Sequence, residues 1–215
     1  MTGADLSHLV AVVPVRSLSG AKSRLGEPLD PEERADLIIA FLRRTIAAAL
    51  GSRSVRSVAV VSQDPDLLRQ AGAMGAEPLL QSGDGLNEAL AQTRDEACAE
   101  ATAILVLPVD LPAVSAEEID RLAAAAAEAR LMAMGRPVVV LVPDRGGTGT
   151  NALLLSPPDV IPFRFGEQSR AAHKREAAAA GASYVEVGGP LAFDVDTPDD
   201  LLEADNAGLG HESGR

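Results

Sequence analysis

Five short runs of apolar, mostly β-branched residues recur along the chain. They are LVAVVPV at 9–15, SVAVVS at 57–62, AILVLPV at 103–109, PVVVLV at 137–142 and NALLL at 151–155. Such nearly continuous hydrophobicity is typical of strands that are covered by helices on both faces, as in parallel sheets. The runs therefore predict a mostly parallel sheet at the centre of an α/β domain.

Helix start signals lie between these runs. They are Asp30-Pro31-Glu32-Glu33, Asp64-Pro65, Ser115 to Glu118 and Thr197-Pro198. Each combines an N-capping side chain with a proline in the first turn or with a capping-box glutamate. The alternation of strand and helix predicts right-handed crossovers, and it places ligands outside the carboxyl ends of the strands.

The composition fits one domain and disfavours several partners. With 215 residues, of which 47% are hydrophobic, the chain can bury one sizeable core, so we expect a domain over 1–207 and a disordered polar tail over 208–215. A formal net charge of −12 and 2% aromatic residues argue against a nucleic-acid partner. One cysteine, no signal-peptide pattern and no apolar run of bilayer length predict a cytoplasmic protein with no membrane segment.

The loop after the first apolar run carries three cations, Arg16, Lys22 and Arg24, in a stretch that contains two glycines. At the carboxyl end of a strand, such a loop would hang over the predicted crevice, where lysine and arginine could bind phosphate oxygens. A solvated loop is the alternative. The Walker pattern is absent, and no G-x-G-x-x-G follows a strand.

Three acidic residues are candidate metal ligands. Asp110 follows the apolar run at 103–109, a position that suits a metal ligand or a turn cap. Asp194 and Asp196 alternate about one valine, so both carboxylates face the same side of an extended segment and repel unless a cation neutralises them. The next two acids, Asp199 and Asp200, lie in the first turn of a helix, where the helix dipole explains them.

Two further segments could bind an anion. PDRGGTGTNALLL at 143–155 could present backbone N–H groups and hydroxyls, or form a flexible hairpin. FRFGEQSRAAHKR at 163–175 gathers cations around Gly166 and Ser169, where a helix should begin. A phosphate at that helix start and a basic helix surface are the two interpretations.

The usual catalytic motifs are missing. His173 is the only histidine away from the termini, and H-E-x-x-H, C-x-x-C and G-x-S-x-G are absent. The sequence therefore offers few residues for covalent catalysis or for a histidine general base. A reaction whose nucleophile is already anionic would need only a metal, cations and alignment, and transfer of a nucleotidyl group onto a phosphate is such a reaction.

Together these segments resemble the guanylyltransferases of deazaflavin coenzyme F-420 biosynthesis, which join GMP from GTP to phosphoenolpyruvate or 2-phospho-L-lactate. The resemblance rests on VPVRSLSGAKSRL, LPVDLP, PDRGGTGTNALL, RFGEQSRAAH and DVDTPDDL, in the family's order. It covers most of the chain and implies a single Rossmann-like nucleotidyltransferase domain of the glycosyltransferase-A type.

The resemblance also implies roles for particular residues. Asp110 and Asp194 would bind catalytic Mg²⁺, with Asp196 beside them. The positions that hold the phosphorylated acid acceptor in the family match Thr150, Gly166 and Ser169.

The nucleotide would be held by the first loop, with Arg16 and Lys22, and by the segment that contains Gly85 and Asn87. Lys22 and Arg24 would stabilise the leaving pyrophosphate, and with Asp110 they make up the expected catalytic set. The segment with Gly85 and Asn87 also reads as an ordinary helix start. Arg16 stands where lysine is also common in the family, and the interval from Thr150 to Gly166 can differ in length from that of relatives.

Several alternatives stay open at this point. The same fold could serve a guanylyltransferase acting on 3-phosphoglycerate, or a cytidylyl-, uridylyl- or molybdopterin-type transferase. A nucleotide-binding relative without turnover is the non-enzyme alternative. The acceptor residues resemble those of bacterial members, which favours phosphoenolpyruvate over 2-phospho-L-lactate. We expect a monomer or homodimer, with a downstream transferase enzyme as a further partner.

Overall fold

The computed structural model describes residues 6–15 and 30–209. Its centre is a seven-stranded sheet in the order β3-β2-β1-β4-β6-β5-β7. The strands are β1 (Leu9–Pro14), β2 (Val55–Ser62), β3 (Glu77–Leu80), β4 (Ala103–Val106), β5 (Val138–Pro143), β6 (Thr150–Ser156) and β7 (Ser183–Glu186). All neighbouring pairs run parallel except those of β6, which is antiparallel to β4 and β5. The predicted mostly parallel α/β sheet is confirmed.

Helices cover both faces of the sheet. They are α1 (Pro31–Gly51), α2 (Pro65–Ala73), α3 (Leu86–Ala97), α4 (Ala116–Met132), α5 (Ser169–Ala179) and α6 (Pro198–Asn206), with a short 3-10 helix at Pro190–Ala192. One apolar layer joins the sheet to α1, α2 and α4, and a second joins it to α3 and α5. Alternate residues of β1 enter the two layers, so the strand is buried on both faces, as its continuous apolar sequence predicts.

The predicted helix starts are confirmed in atomic detail. The Asp30 carboxylate accepts from the backbone N–H groups of Glu32 and Glu33, each at 2.9 Å, and the Glu33 side chain accepts from the Asp30 N–H. The side chains of Asp64, Ser115 and Thr197 cap α2, α4 and α6. These caps bond N–H groups that would otherwise lack a partner in the first turn of each helix.

Two edge strands, β3 and β7, were not among the predicted runs. Their residues are exposed or half-buried, so neither strand is a continuous apolar run. Cys98 is buried and free, and burial raises the pKa of its thiol to about 12. Among the described helices, none combines the length and the apolar character needed to cross a membrane.

The chain end is described up to residue 209. The N–H groups of Gly208 and Leu209 donate to carbonyls of α6. Residues 210–215, which make up most of the expected tail, lie outside the described residues, and the domain boundary at 207 stays a prediction.

Candidate active site

The carboxyl ends of β1, β4 and β5 meet at one edge of the sheet. Because β6 runs in the opposite direction, its first two residues, Thr150 and Asn151, lie at that same edge. The edge is the location that the sequence predicts for ligands. Val15, at the end of β1, is hydrogen-bonded there through its N–H to the carbonyl of Val61.

The three predicted metal-binding acids come from two segments that are bonded to each other. The Val195 N–H donates to the carbonyl of Asp110 at 2.9 Å, which joins the segment after β4 to the segment before α6. The side chain of Asn151 donates from Nδ2 to Oδ1 of Asp194 at 3.3 Å and to the carbonyl of Leu191 at 3.1 Å. Asn151 therefore fixes the half-buried Asp194 beside the start of β6.

The electrostatics at Asp194 favour a cation. Burial raises the pKa of its carboxyl, and the charges of Asp196 and Asp144 act in the same direction, whereas the Asn151 hydrogen bond opposes them. A nearby cation would stabilise the charged form in this acidic setting.

No group of three or more histidine, cysteine or acidic side chains is arranged as a metal site in residues 6–15 and 30–209. Mg²⁺ usually takes one or two carboxylates and completes its shell with substrate phosphates and water. Asp194 is half-buried, and the acidic residues nearest to it add to its negative charge. Together with Asp110 on the adjoining segment, it fits that donor set. Asp110 and Asp194, with the exposed Asp196 beside them, could hold the ion once a nucleotide is bound.

The acid at position 200 has a structural role, as the sequence predicts. Its carboxylate accepts from the N–H and the hydroxyl of Thr197, at 2.9 and 2.6 Å, and from the Asp196 N–H at 3.2 Å. These bonds form the capping box of α6 and hold the end of the segment that carries Asp196.

Thr150 contacts a buried histidine. Its Oγ1 lies 3.2 Å from Nδ1 of His173, whose ring is wholly buried on α5. The other ring nitrogen, Nε2, accepts from the Arg164 N–H at 3.0 Å. The Phe165 ring packs edge-on against the imidazole, with 5.1 Å between the centroids.

Gly166 and Ser169 belong to the tight turn that opens α5. Gly166 has a φ of +126° and Gln168 a φ of +57°. The first value is one that essentially glycine alone adopts without strain, although a Cβ there would meet no neighbour. The N–H of the buried Ser169 donates to the carbonyl of Gly166 at 3.2 Å. The three predicted acceptor residues are thus brought together around α5 and the start of β6.

The glycine-rich segment forms a hairpin between β5 and β6. Asp144 Oδ1 accepts from the N–H groups of Thr148 and Gly149, each at 2.8 Å, and a Cβ at Gly149 would come within 2.9 Å of the same carboxylate. Those two N–H groups are therefore not presented to an anion. Arg170 binds the loop to α5, since its side chain donates to the Gly147 carbonyl at 2.8 Å and its N–H to that of Thr148 at 3.1 Å.

Two arginines of the basic segment at 163–175 form ion pairs on the surface. Arg164 pairs with Glu176 at 2.8 Å, and Arg170 pairs with Glu186 at 2.7 Å. Of these two residues only Arg170 is on α5, and its pairing agrees with the interpretation as a basic helix surface, while the phosphate interpretation stays a prediction. Lys174 borders a depression of about 190 Å³ beside the hairpin loop.

Asn87 is hydrogen-bonded to the backbone of Phe165, next to the turn that contains Gly166. Its side chain donates to the Phe165 carbonyl at 3.1 Å and accepts from the Phe165 N–H at 2.8 Å, so both amide groups are used. Gly85 precedes α3 with a φ of +111°, and a Cβ there would collide with the Glu88 carboxylate. The nucleotide role of Gly85 and Asn87 stays a prediction.

The predicted cations Arg16, Lys22 and Arg24 lie outside the described residues. Sequence reasoning did not single out Asn151 or Asp144, and it noted His173 as the one histidine away from the termini, within the basic segment at 163–175, without giving it a role. A signal existed for each of the first two. Asn151 follows Thr150 at a strand start and so faces the opposite side, and Asp144 precedes a glycine run, where a side-chain acceptor for backbone N–H groups is common.

The fold is that of a nucleotidyltransferase. A nucleotidyl transferase from Methanothermobacter thermautotroptrophicus superimposes with a TM-score of 0.65 at 18% identity, covering 94% of this chain and 98% of that chain. 4-Diphosphocytidyl-2C-methyl-D-erythritolsynthase from Anaerococcus prevotii gives a TM-score of 0.62 at 10% identity, covering 94% of this chain and 99% of that one. At these identities the likeness concerns the fold alone.

Within this class, the chain belongs to the family described as guanylyl transferase CofC like, whose model matches residues 9–213. The phosphoenolpyruvate guanylyltransferase of Sphaerobacter thermophilus is 45% identical over 208 residues, which are 95% of this chain and 96% of that protein. That of Rubrobacter xylanophilus is 44% identical over 200 residues, 92% of this chain and 94% of that protein. The resemblance stated from the motifs is confirmed.

Proposed function

We propose that this protein transfers GMP from GTP to the phosphate of phosphoenolpyruvate and releases pyrophosphate, in the biosynthesis of coenzyme F-420. Near full-length similarity to phosphoenolpyruvate guanylyltransferases supports the choice of reaction and acceptor. The observation that carries the proposal is the start of β6. Its first residue, Thr150, belongs to the acceptor set, and its second, Asn151, holds the candidate metal ligand Asp194.

The two consecutive residues contact different elements, since Thr150 meets His173 on α5 and Asn151 donates to Leu191 and Asp194. An acceptor bound at Thr150 and a nucleotide phosphate bound at Asp194 would therefore meet across one strand end. Transfer between two bound phosphates needs this proximity, because holding both reactants in alignment removes much of the entropic barrier.

In the proposed reaction, a phosphate oxygen of phosphoenolpyruvate attacks the α-phosphorus of GTP. A bond forms between that oxygen and the α-phosphorus, the bond from the α-phosphorus to the bridging oxygen of the β-phosphate breaks, and pyrophosphate leaves with the electron pair. The attacking oxygen is already anionic, so no general base is needed. This agrees with the burial of His173, whose pKa is lowered by desolvation to about 4.

Asp110 and Asp194, with Asp196 beside them, would hold Mg²⁺. When bound, the ion would neutralise charge on the nucleotide phosphates and polarise the α-phosphate. Lys22 and Arg24 would stabilise the leaving pyrophosphate. Both substrates are polyanions and the chain has a formal net charge of −12, so local cations are required to offset the repulsion.

The test is pyrophosphate release by the purified protein with Mg²⁺, crossing GTP, ATP, CTP and UTP against phosphoenolpyruvate, 2-phospho-L-lactate and 3-phosphoglycerate. The proposal predicts release with GTP and phosphoenolpyruvate, and its loss in the isosteric Asp110→Asn variant. Release with another acceptor or nucleotide alone would name a different transferase. GTP binding without release, including after addition of a downstream transferase, would indicate a binding protein without turnover.

The oligomeric state, a downstream transferase partner and a cytoplasmic location stay predictions from the sequence. Size-exclusion chromatography with light scattering would decide between monomer and homodimer.

A further inference from the structure

His173 has no part in the reaction derived above, yet both of its ring nitrogens are hydrogen-bonded inside the protein. Nε2 accepts from the Arg164 backbone N–H at 3.0 Å. A backbone N–H can only donate, so Nε2 carries no proton. In a neutral imidazole the single proton must then be on Nδ1.

The neutral state follows from the surroundings of the ring. Burial is the largest influence and lowers the pKa of His173 to about 4, and Arg164 acts in the same direction against the opposing charge of Glu176. At neutral pH the ring is therefore an uncharged donor at Nδ1 and an acceptor at Nε2.

This tautomer fixes the role of the Thr150 hydroxyl. The Nδ1–H of His173 donates to Thr150 Oγ1 across 3.2 Å, so the threonine oxygen is the acceptor in that bond. The hydroxyl hydrogen of Thr150 must point away from the imidazole. Thr150 lies at the start of β6, at the sheet edge, with 9% of its surface exposed, so an anionic group bound at that edge would be the partner for this hydrogen.

The same ring connects the segments that carry the other two acceptor residues. Arg164, which donates to Nε2, lies two residues before Gly166. His173 itself is on α5, whose first residue is Ser169. The His173 ring is therefore hydrogen-bonded to Thr150 and to the segment before Gly166, and it projects from the helix that begins at Ser169.

We propose that His173 is a positioning residue of the acceptor site, which holds the Thr150 hydroxyl as a donor toward the acid's anionic group and ties the Gly166 turn to β6. The inference rests on the proposed function, since it takes the phosphorylated acid as the ligand at Thr150. It concerns acceptor binding and not the binding of GTP.

Two substitutions separate the two hydrogen bonds of the ring. His173→Asn places an amide N–H near the position of Nδ1 and so keeps a donor for Thr150. His173→Gln places its amide near Nε2, where the carbonyl can accept from the Arg164 N–H, and leaves Thr150 without its donor. Thr150→Val removes the hydroxyl itself.

His173→Gln should raise the KM for phosphoenolpyruvate about tenfold, the effect of a weakened hydrogen bond to a charged group, and leave the KM for GTP within about twofold. His173→Asn should restore most of this loss. Thr150→Val should match His173→Gln, and the double variant should be no worse than either single one, because both changes remove the same interaction.

A KM for GTP that rises as much as that for phosphoenolpyruvate, or a double variant in which the two losses multiply, would overturn the proposal. If wild-type protein binds GTP but does not use phosphoenolpyruvate, the proposed function fails and the inference with it. If the wild-type protein turns over but the variants at His173 and Thr150 raise the KM values for both substrates equally, only the inference about His173 is overturned.

One measurement needs no variant and so does not depend on whether a variant folds. Nitrogen NMR of the wild-type imidazole reports which ring nitrogen carries the proton. The proposal predicts the Nδ1–H tautomer in the free protein and in the presence of phosphoenolpyruvate. A proton on Nε2 would overturn it, because Thr150 would then donate to the ring and have no hydrogen for the acceptor.

Discussion

The buried imidazole of His173 should make the fold sensitive to mild acid. Its ring is wholly buried, and burial lowers its pKa from 6.5 to about 4. Protonation therefore favours the unfolded chain, in which the ring is in water. The sensitivity belongs to this residue and can be measured against a variant that lacks it.

The sign and size follow from proton linkage. Between pH 6.5 and pH 4 the unfolded chain binds the proton and the native protein does not, so the free energy of unfolding falls as the pH falls through this window. The full contribution is present above pH 6.5. A shift of this size corresponds to about 3 kcal/mol once the pH is below both values, and to about 2 kcal/mol between pH 7 and pH 5.

The assay is urea unfolding at pH 7 and at pH 5, for the wild type and for His173→Asn. Other titrating groups are common to both proteins and cancel in the comparison. The free energy of unfolding of the wild type should fall by about 2 kcal/mol more than that of the variant. Equal falls in the two proteins would refute the reasoning, because His173 would then titrate alike in the folded and unfolded states.

Three further predictions concern the site. Asp194→Asn removes a metal-binding charge at constant size and should lower kcat by about 10²-fold or more, whereas Asp199→Asn in the first turn of α6 should change it by less than about twofold; equal rates would contradict the metal assignment. Lys22→Ala should cost about 10²-fold in kcat if the lysine stabilises transition-state charge, with the exposed Arg53→Ala at the opposite sheet edge as control; a loss below about threefold would leave Lys22 as a solvated loop residue. Asn87→Ala breaks two hydrogen bonds to the backbone of Phe165, and should lower the free energy of unfolding by about 2 kcal/mol. It should also raise the KM for phosphoenolpyruvate more than the KM for GTP. A selective rise in the KM for GTP would instead assign Asn87 to the nucleotide.

The central strands could be predicted from the sequence because burial on both faces leaves a local signature. β1, with its unbroken apolar run, is the clearest example. The edge strands β3 and β7 lack that signature, since their residues are exposed or half-buried. The antiparallel direction of β6 was open from the sequence, which gave a hairpin at 143–155 only as one of two interpretations, because a short apolar run has no direction of its own. The direction depends on the hairpin at 144–149.

The site divides in the same way. Helix caps such as Asp30 and Thr197 involve neighbours in the chain and were readable from it. Asp194, which Asn151 binds, is 43 residues away from it, and Thr150 is 23 residues away from His173, so these contacts depend on sheet register and helix docking. Residue type alone identified His173 as polar and basic, while its burial, which sets its charge, required the fold.

The most direct test of the account follows the fate of the α-phosphate. GTP labelled at the α-phosphate, or in a parallel reaction at the γ-phosphate, is incubated with the wild-type protein, Mg²⁺ and phosphoenolpyruvate, and the products are separated and weighed by mass spectrometry. The α label should enter a product with the mass of GMP joined to phosphoenolpyruvate, while the γ label should leave in pyrophosphate. An α label found only in free GMP, GDP or unreacted GTP would contradict it.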